Sequence, residues 1–358
     1  MKVLLISYGD FDYDGRLREL YKVAAGLGEL YAITRGAKAE SGNHKLCNSG
    51  YASFIREACR YGKAIGDVDV LFLDNRKAII PGMLLKNALK PKCVIQDCRE
   101  LYISKDVGHL AGKLGCLMEK FGVPRSDIII SANKERAEIM VDMFGLKEEP
   151  LVYENLRQLE YSSDAAKQAA AEKFAPLMRE GETRILSSSG CSISRTNDVL
   201  VKNLSRVEGK CRLFLAGSST QEEIDAIQAI VTEEGLDNVE ILGRLNQNEL
   251  KYLINNCHIG IVNYHQKDTN NKYCASGKIY EFAYEGIPVV TTTNPPLKNL
   301  CDATGIGESD DNYADAINRV MGDYARYQNS VTLFTQANPV TENNNNLLKE
   351  LQEKLEKL

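Results

Sequence analysis

What the chain lacks narrows the field first. None of its ten cysteines falls in a Cys-x-x-Cys pair or at zinc-ligand spacing. Its four histidines, His44, His109, His258 and His265, do not pair at metal-ligand intervals either. No metal site is expected, and the scattered cysteines, several beside apolar runs, read as buried reduced thiols of a cytosolic protein. No Gly-x-Gly-x-x-Gly follows the first apolar run, where the loop reads YGDFDYDGRLREL with only Gly9 and Gly15. A Walker phosphate loop is absent as well, so hydride transfer and P-loop chemistry fit poorly. Positive charge is not in excess: the formal net charge is -5, which argues against a nucleic-acid partner. No run approaches the ~20 apolar residues that a membrane span needs. The opening MKVLLISYGDFDYDG turns to acids and glycines at once, so it is not expected to be a leader, and a cytoplasmic location is expected.

The chain has 358 residues, and at ~150 per domain that suggests two domains. Hydrophobic residues make up 44% and charged residues 26%, an ordinary balance for a globular protein. Short apolar, β-rich runs punctuate the first half: 2–8, 29–34, 68–74, 92–97, 127–132 and 150–154. Between them lie helical spacings such as Leu17, Leu20, Tyr21, Ala24 and Leu27. The second half repeats the scheme, with runs at 183–189, 211–217, 238–243, 258–264 and 287–293 and helical candidates at 221–235 and 247–256. Continuous apolar strands alternating with helices predict parallel sheets covered on both faces. The fold class is α/β, two doubly wound Rossmann-like domains facing across a cleft at the carboxyl ends of their strands.

Residues 156–182 are polar and Ala-rich without a strand signal, and the domain connection is placed there. The expected division is 1–157 and 158–340, with the terminal helix 341–358 packing back on one of the two by its leucines. Only the Asn run 343–346 is low-complexity, and no internal repeat appears.

The stretch SGKIYEFAYEGIPVV, 276–290, carries the sharpest pattern. On a helix, Lys278, Glu281 and Glu285 fall on one stripe and Ile279, Phe282 and Ala283 on another facing a core. The amides of Ala275, Ser276 and Gly277 would lie at the helix start, where an anion is favoured. Lys278 would then meet phosphate, and Glu281 would accept hydrogen bonds from ribose hydroxyls. A charged stripe facing solvent is the other reading of the same spacing.

The run GKIYEFAYEGIPVV resembles the donor-site signature of GT-B glycosyltransferases, especially the retaining bacterial polysaccharide-type enzymes. The match falls on Lys278, Glu281, Gly286, Pro288, Val289 and Val290. The resemblance implies that Glu281 binds the donor ribose and that the preceding loop, with Ser276 and Gly277, gives backbone amides to the diphosphate. Two positions depart from the pattern. Cys274 stands where many retaining members carry a second glutamate, and Ser276 stands where a subset has proline.

Other loops resemble the family more loosely. SSSGCSISRTND, 187–198, matches its glycine-rich diphosphate loop by Gly190 and Arg195. A guanidinium suits phosphate by its fork of donors, although Arg195 equally fits a helix-cap surface position. ILGRLNQNEL resembles the turn that reads the base, with Arg244 and Leu245 as candidates and an ordinary turn as the alternative. In the first half, Gly9 matches the glycine loop facing the donor phosphates, and DYDGRLREL matches an Asp-x-Arg helix start. VIQDCRELY matches a segment near the reacting sugar, with Asp97 in place and Arg99 where the family has histidine. VYENLR ends the first domain, with Asn155 at a recurrent asparagine.

The resemblance implies transfer of a sugar, from a UDP-sugar above all, to a hydroxyl of a glycan or lipid-linked glycan in bacterial surface polysaccharide synthesis. Arg195, Lys278, Asp97 and Arg99 are the candidate catalytic residues. Gly9, Gly190, Arg195, Arg244, Leu245, Ser276, Gly277, Lys278 and Glu281 are the candidate donor contacts. No cofactor and no metal are expected. The basic apolar stretch 79–92 offers a peripheral contact with anionic lipid, or simply an amphipathic helix with a solvated face. The rivals are a nucleotide-sugar epimerase or hydrolase of this fold, and a non-catalytic partner subunit.

Overall fold

The computed structural model describes residues 1–358. They form two compact units, one of Met1–Leu156 with Val340–Leu358 and one of Arg157–Pro339. Each is a parallel sheet flanked by helices.

The first unit holds β1 (Lys2–Asp10), β2 (Glu29–Arg35), β3 (His44–Leu46), β4 (Val70–Asp74), β5 (Cys93–Cys98), β6 (Ile128–Ser131) and β7 (Leu151–Val152) in the order β3-β2-β1-β4-β5-β6-β7. Alternation along β1 explains the run of apolar residues. Val3 and Leu5 join one core with Phe72 and Ile95, while Leu4 and Ile6 join the opposite core with Leu71 and Val94. Both faces are covered, so every residue of β4 and β5 is buried. The terminal helix Val340–Leu355 lies on this unit, adding Leu347 and Leu351 to the first core.

The second unit holds β8 (Thr183–Ser187), β9 (Cys211–Ala216), β10 (Val239–Gly243), β11 (Ile259–Val262), β12 (Val289–Thr291) and β13 (Gly307–Ser309) in the order β10-β9-β8-β11-β12-β13. In both sheets the winding reverses direction beside the first strand of the unit, at β1/β4 and at β8/β11. Loops leaving the carboxyl ends of such a strand pair diverge and leave a crevice for ligands.

Two strands have no counterpart in the sequence reading. β3 and β13 span three residues each, too few for any period to show. Position 307 has room only for glycine, because a Cβ there would lie 1.9 Å from the Val289 carbonyl oxygen. The segment 79–92 forms the helix Ile79–Leu89, which uses Ile79, Pro81, Gly82 and Leu85 for packing.

Candidate functional site

At the β8/β11 switch point the chain gathers polar groups that a sheet edge does not need for its own stability. β8 ends at Ser187, and β11 is followed at once by Asn263. Ser187 Oγ donates to Asn197 Oδ1 at 3.0 Å, Asn197 Nδ2 donates to the Gly190 carbonyl at 2.8 Å, and Asn263 Nδ2 donates to Asn197 Oδ1 at 2.9 Å. This buried lattice holds the loop Ser188–Thr196 in one shape. Gly190 takes φ +65°, and its N–H donates to the Ala216 carbonyl at 2.8 Å. Against it lies Gly217, where a Cβ would sit 2.7 Å from the Gly190 nitrogen. The loops after β8 and β9 therefore touch backbone to backbone, which only glycines allow.

Beyond this turn Arg195 is aimed by two contacts. Its guanidinium lies over the Tyr264 ring at 3.9 Å, and Nη1 donates to Asn271 Oδ1 at 3.2 Å. Asn271 is itself fixed by Asp268, which accepts from its amide nitrogen at 2.8 Å. The long polar loop after β11 thus serves as a mount for Arg195.

The helix Lys278–Tyr284 begins beside the same loop. Lys278 Nζ donates to the Ser188 carbonyl at 2.9 Å. Burial, and then the nearby Arg195, push the Lys278 ammonium down to about 8, against the pull of Glu281. Glu281 is buried and accepts from Arg157 Nη2 at 2.7 Å. Gly277 makes room for that guanidinium: a Cβ there would come within 2.9 Å of it. Glu285 pairs with Lys251 on the far end of the helix. The stripe of Lys278, Glu281 and Glu285 is therefore directed at protein groups and does not face open solvent. Two hydroxyls close by, Ser188 Oγ and Ser276 Oγ, are buried without a hydrogen-bond partner in the protein, as is Arg157 Nε. Unsatisfied buried donors clustered beside two cations are the features of an anion and polyol site.

The structure thus brings together Gly190, Arg195, Ser276, Gly277, Lys278 and Glu281. Cys274 is a buried residue in the same loop, with a thiol where the family pattern has a carboxylate. Arg244 and Leu245 lie at the carboxyl end of β10, two strands along from β8. Their turn is tied to the site through Gly217 N–H, which donates to the Gly243 carbonyl at 2.7 Å.

Gly9, Asp97 and Arg99 belong to the first unit, where Asp97 and Arg99 sit in two neighbouring sets of ion pairs on β4 and β5 and Gly9 lies against one of them. Arg16 grips Asp97 with two bonds, Nε to Oδ2 at 3.0 Å and Nη2 to Oδ1 at 2.5 Å, and also donates to Asn155 Oδ1 at 2.7 Å. Arg99 is held by Asp74, at 2.6 Å to each carboxylate oxygen, and by Asp14. Burial pushes the Asp74 carboxyl up and Arg99 pulls it back; burial also works against the Arg99 guanidinium, but Asp74, Asp14 and Asp97 together hold it above its ordinary value. Ser7 Oγ donates to Asp74 and accepts from the Gly9 amide at 2.9 Å. Asp97 is fully buried with both oxygens engaged, so its evident work is to anchor the helix Gly15–Leu27, through Arg16, to β5.

Sequence reasoning did not single out Arg157, Asn263 or Asn271. Arg157 stands at the end of the quoted VYENLR, but nothing local marks it as the partner of a residue 124 positions on. Asn263 offered a usable signal: a polar residue closing an otherwise apolar strand at a switch point.

Residues 190–323 match the family model of group 1 glycosyltransferases, a span inside the second unit. No curated protein matches the chain by sequence. Among solved structures, Anabaena HepE in complex with UDP and glucose superposes with TM-score 0.75 at 14% identity, covering 99% of this chain and 100% of that one. Sucrose-phosphate synthase from Thermosynechococcus elongatus gives 0.67 at 15% identity, covering 98% and 99%. The trehalose 6-phosphate synthase of Burkholderia multivorans gives 0.66 at 12% identity, covering 98% of each chain. At these identities the likeness is one of fold, and the fold is that of the GT-B glycosyltransferases, with two Rossmann-like domains.

Proposed function

We propose that this chain is a retaining glycosyltransferase that moves a hexosyl group from a UDP-sugar to a hydroxyl of a glycan or lipid-linked glycan, in bacterial surface polysaccharide synthesis. It would act in the cytoplasm without a cofactor. The observation that carries this reading is the convergence of Arg195, Lys278 and the Arg157–Glu281 pair on one glycine-lined loop at the β8/β11 switch point. The family match over 190–323 and the UDP held by HepE support it.

In this reading Arg195 and Lys278 take the diphosphate. Each makes one hydrogen bond to the protein side described above and keeps further donors for phosphate oxygens. Ser188 Oγ and Ser276 Oγ gain partners as the ligand enters. Glu281 accepts from the ribose hydroxyls, with Arg157 holding the carboxylate in place. When the bond between the anomeric carbon and the diphosphate oxygen breaks, the departing oxygen takes the electron pair beside two fixed cations. The acceptor hydroxyl oxygen adds to the anomeric carbon, and its proton passes to the diphosphate.

Release of UDP from UDP-sugars, measured with and without a glycan acceptor, tests the reading. Release that rises with acceptor and falls in Lys278→Met supports it. Product formed equally well without acceptor would point to an epimerase or hydrolase. Absence of nucleotide binding would favour a partner subunit, a reading that draws on Cys274 and on Arg99 in the histidine position.

A further inference from the structure

The helix Leu110–Gly122 of the first unit turns the usual order of an amphipathic helix around. Its buried face is made of Gly112, Gly115, Cys116, Glu119 and Gly122. The glycines are needed there. A Cβ at position 112 would lie 2.2 Å from Val107 Cγ1, and one at 122 would lie 2.3 Å from Ile79 Cγ2. The large apolar residues point the other way: Leu110 is 84% exposed, Leu114 56%, Leu117 63% and Phe121 56%. Steps of four, three and four residues place all four within one narrow arc. Single exposed leucines are ordinary, but a continuous stripe on a helix that buries its glycines is not.

On the helix itself the exposed charges are of one sign. Lys113 and Lys120 flank the stripe on the same side, and the Arg125 guanidinium stacks over the Phe121 ring at 3.7 Å. The one acid of the helix, Glu119, is turned inward against Arg76. Asp106 precedes the helix, and Asp127 beyond it is engaged with the Val94 amide at 2.8 Å. The chain as a whole carries a net charge of -5, so this basic face departs from its average. By contrast the helix Ile79–Leu89, for which the sequence left open a lipid contact or a plain amphipathic helix, packs Ile79, Pro81 and Leu85 inward, and Lys86 donates to the Arg125 carbonyl at 2.6 Å.

We infer that the Leu110–Phe121 face adsorbs to a bilayer surface containing anionic lipid. The helix spans 13 residues, about 20 Å, which suits lying in the interface and is too short to cross it. The leucines and Phe121 enter the acyl boundary while Lys113, Lys120 and Arg125 meet lipid phosphates. A second copy docked by the same face would bring like charges together, which disfavours self-association. The chain leaves β5 at its carboxyl end and reaches this helix before returning to β6, so the stripe starts at the loop edge of the first sheet. The inference stands on this helix alone and holds whether or not the second unit binds a nucleotide sugar.

Co-sedimentation of the full chain with vesicles of phosphatidylcholine, alone or mixed with phosphatidylglycerol, tests it. Wild type is expected to pellet with the anionic vesicles and to be released by salt. Leu114→Ser/Leu117→Ser is expected to bind at least tenfold more weakly, and Lys113→Gln/Lys120→Gln about tenfold more weakly. Both exposed-face variants should keep the wild-type melting temperature and UDP binding, which separates loss of adsorption from misfolding and from failure of the donor-site reading. Wild type that ignores anionic vesicles, leucine variants that bind like wild type, or a solution dimer dissolved by the leucine changes would each overturn the inference.

Discussion

Lys278 links the electrostatics of the site to a measurable pH profile. Its depressed value of about 8 means that the ammonium is present at pH 7 and is lost as pH rises past 8. Affinity for a nucleoside diphosphate should be full below about 8 and decline above it, and titration calorimetry across that range checks this. Lys278→Met should bind about 10- to 100-fold more weakly at pH 7 and lose that pH dependence. Stability runs the other way. Above about 8 the unfolded chain still holds a proton that the folded chain has released, so the ligand-free protein gains stability from there to the ordinary lysine value. Asp97 gives a contrasting case. Asp97→Asn leaves the buried Arg16 guanidinium without its carboxylate, which costs about 3–5 kcal/mol and lowers the melting temperature by roughly 10 °C. A normal melting temperature with lost turnover would instead give Asp97 a chemical part. At this scale helical spacing put Lys278, Glu281 and Glu285 on one stripe, and the family resemblance, not the spacing, pointed to a donor site there. The sequence could not show that Arg157 holds Glu281, because a contact between distant segments leaves no local period.

Elements were more legible than their partners. Runs such as CRLFLAG and HIGIVNY became β9 and β11 because a strand buried on both faces must be continuously apolar. The helix read at 247–256 runs from Gln247 to Asn256, bounded by an Asn246–Glu249 capping box. β3 and β13 escaped because three residues carry no period. The crossing of the loops after β8 and β9 was equally invisible, although it decides the shape of the site. Gly217 takes φ +141° and Gly235 takes φ +62°, but only Gly217 faces a neighbouring backbone. Gly217→Ala should therefore cost about 1–3 kcal/mol and weaken UDP binding. Gly235→Ala should cost about 1 kcal/mol through its backbone alone and leave UDP binding intact. Denaturant midpoints and calorimetry on the two variants check the difference.

For the whole molecule, alternation of apolar strands and helices was enough to read two doubly wound sheets, and the same strand order on the two sides of each first strand places both crevices. The role of the last helix depends on side chains meeting across the full length of the chain. Leu351 is fully buried in the first unit, and Leu348 fills the space over Gly26. Leu351→Ala should destabilise the first unit by about 2–5 kcal/mol while the second unit keeps its affinity for UDP. Denaturant unfolding followed beside UDP binding checks both halves of that statement. The most direct test of the donor site is a thermal-shift panel of UDP, GDP, dTDP, CMP and their common sugars on wild type and Glu281→Ala. A selective rise with UDP and UDP-sugars that disappears in Glu281→Ala is the expected result. A flat panel, or a rise that the variant retains, would contradict a nucleotide-sugar site built on Lys278 and Glu281.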